Sequence, residues 1–472
     1  MFKKIEIWVL YLFLILFLII VIFYGALLKH HYSGGERFPE IQKIAVFLSE
    51  IPSNVKNVRI SFDKKDGIIF YDNRDVPPPR DTKNKDKERF KRYIKNSREE
   101  LLVLSRYDGD LKKSLVEIVD LNTFKVLHTY RHDIDAMNNQ ITNPSLDVIN
   151  LRQNISKIRF EYSHPIILED GSLISNSGLS PLFKIDFCSN LVWMNQEYNF
   201  HHSKELDNNN SIWTAAQIFP FSKTVSRLTN KKKFIDDVIV NVSKDGEIKF
   251  IKSVFEILVE NDVVINNQNL SLIDDWENDP IHLNDVQPAL KKTKYWNEGD
   301  LFLSPRNLHA IVQYRPSTNK VIRFIRGPFN NQHDVDIISD NEISIFNNNN
   351  KVTETNENNM ENLGDDNFSE VTIYNFETKT FTTKFNNELK NINFKSHTAG
   401  LSDIFEDGSL YLEEENYGRI VLLDKNGKLE WEFVNKDNQG NINMLSWSRI
   451  IKDRKIINNI RNLIETKKCP KN

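Results

Sequence analysis

A unit of about 40 residues recurs along this chain. It runs apolar stretch, acidic or Asn turn, apolar stretch, gap, a third stretch ending near Asp, a turn, and a last stretch that often carries Trp or Phe. The clearest copies are IILEDGSLISNSGLSPLFKIDFCSNLVWM (Ile166–Met194) and GLSDIFEDGSLYLEEENYGRIVLLDKNGKLEWEF (Gly400–Phe433). Weaker copies start near Glu205, Asn284 and Asp334, and the region from Leu101, with LLVLSRY, SLVEIVDL and KVLHTY, supplies another. Short β-rich runs punctuated by Asp-Gly and Asn turns read as strands. Roughly six copies of a four-strand unit predict an all-β fold, a six-bladed β-propeller over residues 99–449. A β-sandwich would also give many short strands but would not repeat one turn phase. Insertions are expected at Ala215–Phe234, Asn261–Asp279 and Lys351–Asn367.

The ends read differently. Residues 7–28 carry no charge and are almost wholly Ile, Leu, Val, Phe, Tyr and Trp, long enough for a helix to cross a bilayer core. No small-residue cleavage site follows, which favours a signal anchor after a short tail at residues 1–6. Lys3 and Lys4 precede the span, while Lys29, Arg37 and Lys43 follow it, so the charge rule is nearly balanced. The expected topology is N-terminus inside, with the large domain extracytoplasmic. Residues 29–98 read as an amphipathic helix (Phe38–Ile51) and then a polar, Pro-rich spacer containing Pro77–Pro79, and residues 450–472 as a basic, partly helical tail. A net charge of −3 gives no reason to expect nucleic acid as a partner. The two cysteines, Cys188 and Cys469, leave both a disulfide and two separate thiols open.

Five of the eleven histidines share a phase. His164, His202 (with His201 beside it), His282, His333 and His397 each stand just before the first strand of their unit. First strands of propeller blades line the central channel, so equal phase predicts a ring of imidazoles at one mouth. No carboxylate or Cys recurs beside them at ligand spacing, so neither a metal nor another cofactor is expected. A neutral imidazole is a competent nucleophile near pH 7. Arg306, in the stretch Trp296–Asn350 that also holds His333, has a planar fork suited to a tetrahedral oxyanion. A redox or quinone enzyme would want a ring of cofactor-stacking Trp or a Cys-x-x-Cys-His, and the chain has neither.

The segments NFHHSKELDNNNSIW (Asn199–Trp213), DPIHLNDVQP (Asp279–Pro288), GDLFLSPRNLHAIV (Gly299–Val312) and GPFNNQHDVDIISDNEISIFNN (Gly327–Asn348) resemble the bacterial arylsulfotransferase (aryl-sulfate sulfotransferase) family, with a weaker match at Gly418–Phe433. The resemblance implies a six-bladed propeller acting outside the cytoplasm. It also implies transfer of a sulfuryl group from an aryl sulfate to a phenol through a covalent sulfohistidine, without a nucleotide donor. On it, His333 is the nucleophile, His282, Arg306 and His202 hold and polarise the sulfate oxygens, and His201, Asn307, His164 and His397 line the substrate site. The family's His-His-acid reads here His201-His202-Ser203, and its Phe-Asp-Asn-Gly reads Phe346-Asn347-Asn348-Asn349. The alternative is a non-catalytic propeller binding sulfated glycans, other anions or protein partners.

Overall fold

A computed structural model describes residues 6–32, a few positions between 38 and 49, and residues 84, 86–95, 97–141, 160–228, 234–263, 279–349 and 368–469. The chain divides into two compact units, Met1–Val76 with Phe219–Phe234, and Pro77–Ile218 with Ile235–Asn472. In the first unit, α1 (Ile7–Tyr32) is long and apolar enough over Ile7–Leu28 to cross a bilayer, and its side chains from Leu10 to Phe23 are exposed. A short helix, α2 (Lys223–Leu228), forms within the expected Ala215–Phe234 insertion. Of the helix expected over Phe38–Ile51, the described positions Glu40, Ile41, Ile44, Ala45, Leu48 and Ser49 are helical. Pro77–Pro79, residues 264–278 and the expected insertion at Lys351–Asn367 lie outside the described residues.

The second unit is all-β and propeller-like. Its strands form five antiparallel sheets. One joins β2 (Leu101–Asp108), β3 (Lys113–Asp120) and β4 (Val126–Tyr130) to β24 (Arg449–Ile451). The next holds seven strands: β5 (Ser163–Ile167), β6 (Leu173–Asn176), β7 (Ser180–Ile185), β8 (Leu191–Leu206), β9 (Ile212–Ile218), β10 (Asp236–Val242) and β11 (Ile248–Ser253). The third holds β12 (Leu283–Pro288), β13 (Leu301–Pro305), β14 (Ala310–Arg315) and β15 (Lys320–Arg326). The fourth holds β16 (Val335–Ile337), β17 (Glu342–Asn347), β18 (Glu370–Asn375) and β19 (Thr380–Thr383). The fifth holds β20 (Leu401–Ile404), β21 (Leu410–Glu414), β22 (Arg419–Leu423) and β23 (Leu429–Val434), with β1 (Phe90–Arg92) along its edge.

Six separate sheets were expected, and the described residues form five. The difference is β8, a single strand of 16 residues that pairs with β7 from Leu191 to Asn195 and again at Phe200, and with β9 from Asn199 to Leu206. Two further expectations are corrected. The spacer expected to residue 98 contains a strand, because Phe90 packs on Phe433 and Phe124 while Arg92 lies over the Phe124 ring. The tail expected from residue 450 starts inside β24 and continues as α3 (Arg454–Thr466), which buries Ile457 and Ile460. Cys188 and Cys469 form a disulfide that ties the segment after α3 to the turn after β7.

The repeated turn has a local cause. Asp170, Asp207, Asp407 and Asp424 each accept a backbone N–H two residues on. The residue following that donor, or the donor's predecessor, then turns left-handed: Gly171, Asn210, Gly408 and Gly427 have φ of 74°, 54°, 87° and 80°. Asn thus does the work of Gly at position 210.

Neighbouring sheets are stitched by buried polar side chains that accept backbone N–H groups of the next sheet. Asp237 accepts from Leu283 (2.7 Å) and the Ser203 hydroxyl from Val286 (3.2 Å). Asp285 accepts from Val335 (3.0 Å) and Asp334 from Ser402 (3.1 Å). Glu413 accepts from Trp447 and Ser448 (2.7 and 2.8 Å). The circuit closes where Arg449 meets Glu205 (3.0 Å) and the His164 N–H donates to Ser446 O (3.2 Å).

Burial, then the neighbouring Asp336 and Asp285, push the Asp334 carboxyl well above its usual range. An amide can replace it as acceptor. Asp334→Asn is therefore expected to change unfolding free energy by less than about 1 kcal/mol. Asp334→Ala, which orphans the buried Ser402 N–H, is expected to cost about 1–3 kcal/mol. Urea unfolding of the two variants checks this.

Candidate functional site

The shared phase of the histidines has a backbone basis. His164, His202 and His282 are left-handed, with φ of 41°, 54° and 49°; His164 and His202 sit at a register break of their strand, and His282 immediately precedes β12, whose register breaks between Leu283 and Asp285. A bulge of this kind re-aims a side chain away from the strand's normal alternation. Left-handed β-entry costs on the order of 1–3 kcal/mol for a non-glycine residue, so something must hold it. Lys204 Nζ (2.8 Å) and the Ser163 hydroxyl (3.2 Å) donate to the His202 carbonyl. His282 is held by its N–H on Asp279 (3.0 Å) and by the Arg306 N–H on its carbonyl (3.0 Å). Trp447, two residues before β24, is left-handed too (φ 55°). It takes in that sheet the place the histidines take in the others.

These devices bring four predicted residues together. The His202 ring centroid lies 5.4 Å from that of His282, 6.4 Å from His333 and 4.9 Å from His201. Trp447 closes the group at 6.0 Å from His202, 6.1 Å from His333 and 5.5 Å from His164.

His333 is fully buried and its tautomer is set. Asn348 donates its amide to Ser396 O (2.8 Å) and Ala399 O (3.0 Å), which turns its Oδ1 toward His333 Nδ1 at 2.6 Å. The Asn331 carbonyl is a second acceptor at 3.1 Å. Nδ1 therefore carries the proton, and Nε2 holds a lone pair with no hydrogen-bond partner among the described residues. Burial, then the charge of Arg306, push His333 down to about 3, so the ring is neutral at pH 7. Its neighbours in the triplet anchor it on both sides. Gln332 donates to Pro305 O (3.1 Å) and Ala310 O (3.0 Å), and Asp334 makes the stitch to Ser402.

Arg306 stands half-buried on a 3-10 turn, Arg306–Leu308, directly after β13. Asn307 uses both ends of its amide locally, donating to Asp279 O (2.6 Å) and accepting from Arg306 Nη1 (3.3 Å). It clamps the Asp279–His282 turn beside Arg306. Burial pushes the Asp279 carboxyl up, but the His282 charge and the His282 Nδ1 and N–H bonds (2.6 and 3.0 Å) outweigh it and hold it low. His282 is thus paired with a carboxylate, while 30% of its side chain stays exposed.

Two predicted residues stand apart. His164 faces Arg449 (2.9 Å to Nε2) and accepts the Lys204 N–H at Nδ1 (3.3 Å). Burial, then Arg449 and Lys204, push it well below its usual value. His397 packs on Tyr417 at 5.7 Å and makes no ring contact with the cluster among the described residues.

Other residues were not singled out from sequence. Asn284 donates to Gln332 O (2.9 Å) and keeps a buried Oδ1 without a partner. Its signal was its place two residues after His282. His309, left-handed at φ 47°, accepts the Asn331 N–H (3.1 Å) beside Arg306. Asp279 was visible three residues before His282, whereas Asn348 and Trp447 needed the assembled sheets. The Ser203 and Asn347 departures fall on structural atoms. The Ser203 hydroxyl makes an inter-sheet stitch, and Asn347 accepts from the Asn330 and Asn349 N–H groups (both 2.9 Å).

The propeller-like unit thus groups a neutral, buried imidazole with three further imidazoles and with the charge of Arg306. A family model described as arylsulfotransferase (ASST) matches residues 164–436, more than half of the chain. The chain belongs to the arylsulfotransferase family, and that membership supports a sulfotransferase-like activity. No curated protein matches it. Among solved structures it is similar to a protein of unknown function from Bacteroides caccae (9% identity, TM-score 0.45, covering 75% of this chain and 99% of that one). It is also similar to a chain of a nidogen/laminin complex (7%, TM-score 0.40, covering 74% and 97%) and to virginiamycin B lyase from Staphylococcus aureus (11%, TM-score 0.32, covering 57% and 69%). Likeness at that level carries no functional argument.

His333 gives a pH prediction. In the unfolded chain a histidine takes its proton below about pH 6.5, but folded His333 stays neutral down to about 3. The folded state therefore loses stability as pH falls through this window, by up to about 1.4 kcal/mol per pH unit. His333→Asn removes that share. Its urea midpoint is expected to fall less steeply than that of the parent chain between about pH 6.5 and 4.5.

Proposed function

We propose that this chain is a membrane-anchored aryl-sulfate sulfotransferase, nucleotide-independent, that moves a sulfuryl group to a phenolic acceptor through a sulfohistidine at His333. The observation that carries the reading is the bare, buried Nε2 of a neutral His333 whose Nδ1–H is pinned by Asn348. In the donor half-reaction Nε2 attacks sulfur and the aryl oxygen leaves. In the acceptor half-reaction a phenolic oxygen attacks the sulfo-imidazole and the electron pair of the S–N bond returns to Nε2. Sulfuryl oxygens carry charge throughout, so catalysis rests on fixed positive groups and donors aimed at them. Arg306 and His282, the latter backed by Asp279, supply the charge, and His202 and His201 complete the imidazole group. Asn284, with its free buried oxygen, orients the incoming group. Asn307 positions Arg306 and His282 rather than touching substrate. His164 and His397 lie farther out along the substrate path, with Trp447 as the aryl-facing wall.

The reading includes six blades, counting the seven-stranded sheet as two units that share β8. It also includes anchoring by α1, with the domain outside the cytoplasm. The Cys188–Cys469 disulfide supports that side, since such bonds persist in oxidising compartments.

The test uses the full-length chain in detergent with p-nitrophenyl sulfate and phenol. Nitrophenol release should depend on the acceptor and fall by about 10³-fold or more in His333→Ala. Asn348→Ala, which frees the tautomer, should lower kcat by about 10²-fold. Sulfate binding without turnover anywhere between about pH 6 and 9 would sink the enzyme reading in favour of an anion-binding propeller.

A further inference from the structure

His201 and His202 are consecutive, yet the left-handed turn at His202 lets their rings meet edge to edge, with Nδ1 facing Nδ1 at 2.6 Å. Two Nδ1 atoms at that distance hold one proton between them. On its far side, His201 Nε2 approaches Asp237 Oδ1 to 3.3 Å without making a hydrogen bond, and neither atom has a hydrogen-bond partner among the described residues. The other Asp237 oxygen is occupied by the Leu283 N–H at 2.7 Å. The carboxylate is thus fixed by the residue that follows His282, so it bridges two sheets. His202 itself faces His282 and His333 from the neighbouring sheets, Lys204 from its own strand, and Trp447.

We propose that Asp237, His201 and His202 form a proton relay that takes the phenolic proton from the reacting oxygen and returns it in the opposite half-reaction. The inference rests on sulfuryl transfer through His333 and assigns the proton that this chemistry must move. After the donor half-reaction His202 carries its proton on Nδ1 and a lone pair on Nε2, while His201 carries its proton on Nε2, toward Asp237. When a phenol attacks the sulfo-imidazole, the new O–S bond forms and the S–N bond breaks, its electrons returning to His333 Nε2. The phenolic proton passes to His202 Nε2. The His202 Nδ1 proton crosses to His201 Nδ1, and the charge comes to rest on His201 beside the Asp237 carboxylate. In the donor half-reaction each transfer reverses. The aryloxide takes the proton from His202 Nε2, His201 returns one to His202 Nδ1, and no net proton is gained or lost.

Two features favour a relay over a single base. Burial, then the neighbouring His201, His282 and His333 rings, push His202 well below its usual value and so disfavour a charge on it. A carboxylate waits only at the far end of the pair. Asp279 is already engaged by His282, through its backbone N–H and its ring Nδ1.

The experiment measures the burst of released phenol with the full-length chain in detergent, comparing p-nitrophenyl sulfate with unsubstituted phenyl sulfate. The variants are Asp237→Asn, which keeps an acceptor for Leu283, and His201→Asn, which keeps a polar atom near the Nδ1 position. A poor leaving group needs the proton and a good one does not. Both variants should slow the phenyl sulfate burst at least about tenfold more than the nitrophenyl sulfate burst. Asp237→Glu should recover part of the difference. If both donors slow by the same factor, or neither slows, the relay is wrong while the His333 reading stands. Sulfur-35 label from an aryl sulfate, absent from His333 of the parent chain, would remove the sulfohistidine reading and the relay with it.

Discussion

The stitch from one sheet's buried acid to the next sheet's backbone N–H is the constraint on which the second unit depends. Antiparallel sheets satisfy their own ladders, but their inner strands leave donors facing the neighbouring sheet. A buried N–H left without an acceptor costs about 1–3 kcal/mol, so each junction needs one. Here the acceptors are Asp237, Asp285, Asp334 and Glu413, with the Ser203 hydroxyl beside them. Burying that many charges would be prohibitive. Burial, then Glu205, pushes Asp285 up to about 7, and burial pushes Glu413 up to about 7. Both therefore titrate close to physiological pH, and a protonated carboxyl still offers an acceptor oxygen. The junction that closes the circuit is an ion pair, Arg449 with Glu205.

The same junctions aim the imidazoles. The strand entries are where a sheet's first strand meets its neighbour, and three of the histidines are left-handed there, two of them at a register break and His282 just before one. Strain of this kind survives only if surrounding bonds over-determine it. His282 is pinned from Asp279 and from Arg306, and His202 from Lys204 and Ser163. Arg306 thus serves twice, once through its backbone N–H on the His282 carbonyl and once through its charge beside His333. The cluster is a by-product of how the sheets join, fixed by backbone rather than by flexible side chains.

That explains which parts were legible in the sequence. The four-strand units could be read because alternation and Asp-capped turns are local, and the common phase of His202, His282 and His333 follows from them. Trp447 could not be placed beside them, because its sheet is completed by a strand more than 340 residues away from β2, the separation across Ser105 and Ser448 being 343. The strand β1 was hidden in polar sequence because its partner, Phe433, lies equally far along the chain. The union of two units along β8 was hidden for the opposite reason, since LVWMNQEYNFHHSKEL holds no Gly or Pro to mark a break between them. Ser203 and Asn347 looked like losses at the site because they depart from a motif by residue type. In space the atom that orients His333 belongs to Asn348, which is retained, and the carboxylate behind His201 comes from Asp237 on a different strand.

The raised acids also bear on what the proposed site could bind. Asp334 follows His333 directly, and an ionised carboxylate there would repel any anion brought to Nε2. Burial, then Asp336 and Asp285, push that carboxyl well above its usual range, which disfavours the charge, while it accepts the Ser402 N–H of the next sheet. Arg306 acts as a cation on the neutral His333, and the His282–Asp279 pair belongs to the same group. In the proposed reaction a sulfate ester, with one negative charge, would need less compensation there than a phosphate monoester, whose second charge needs a further partner.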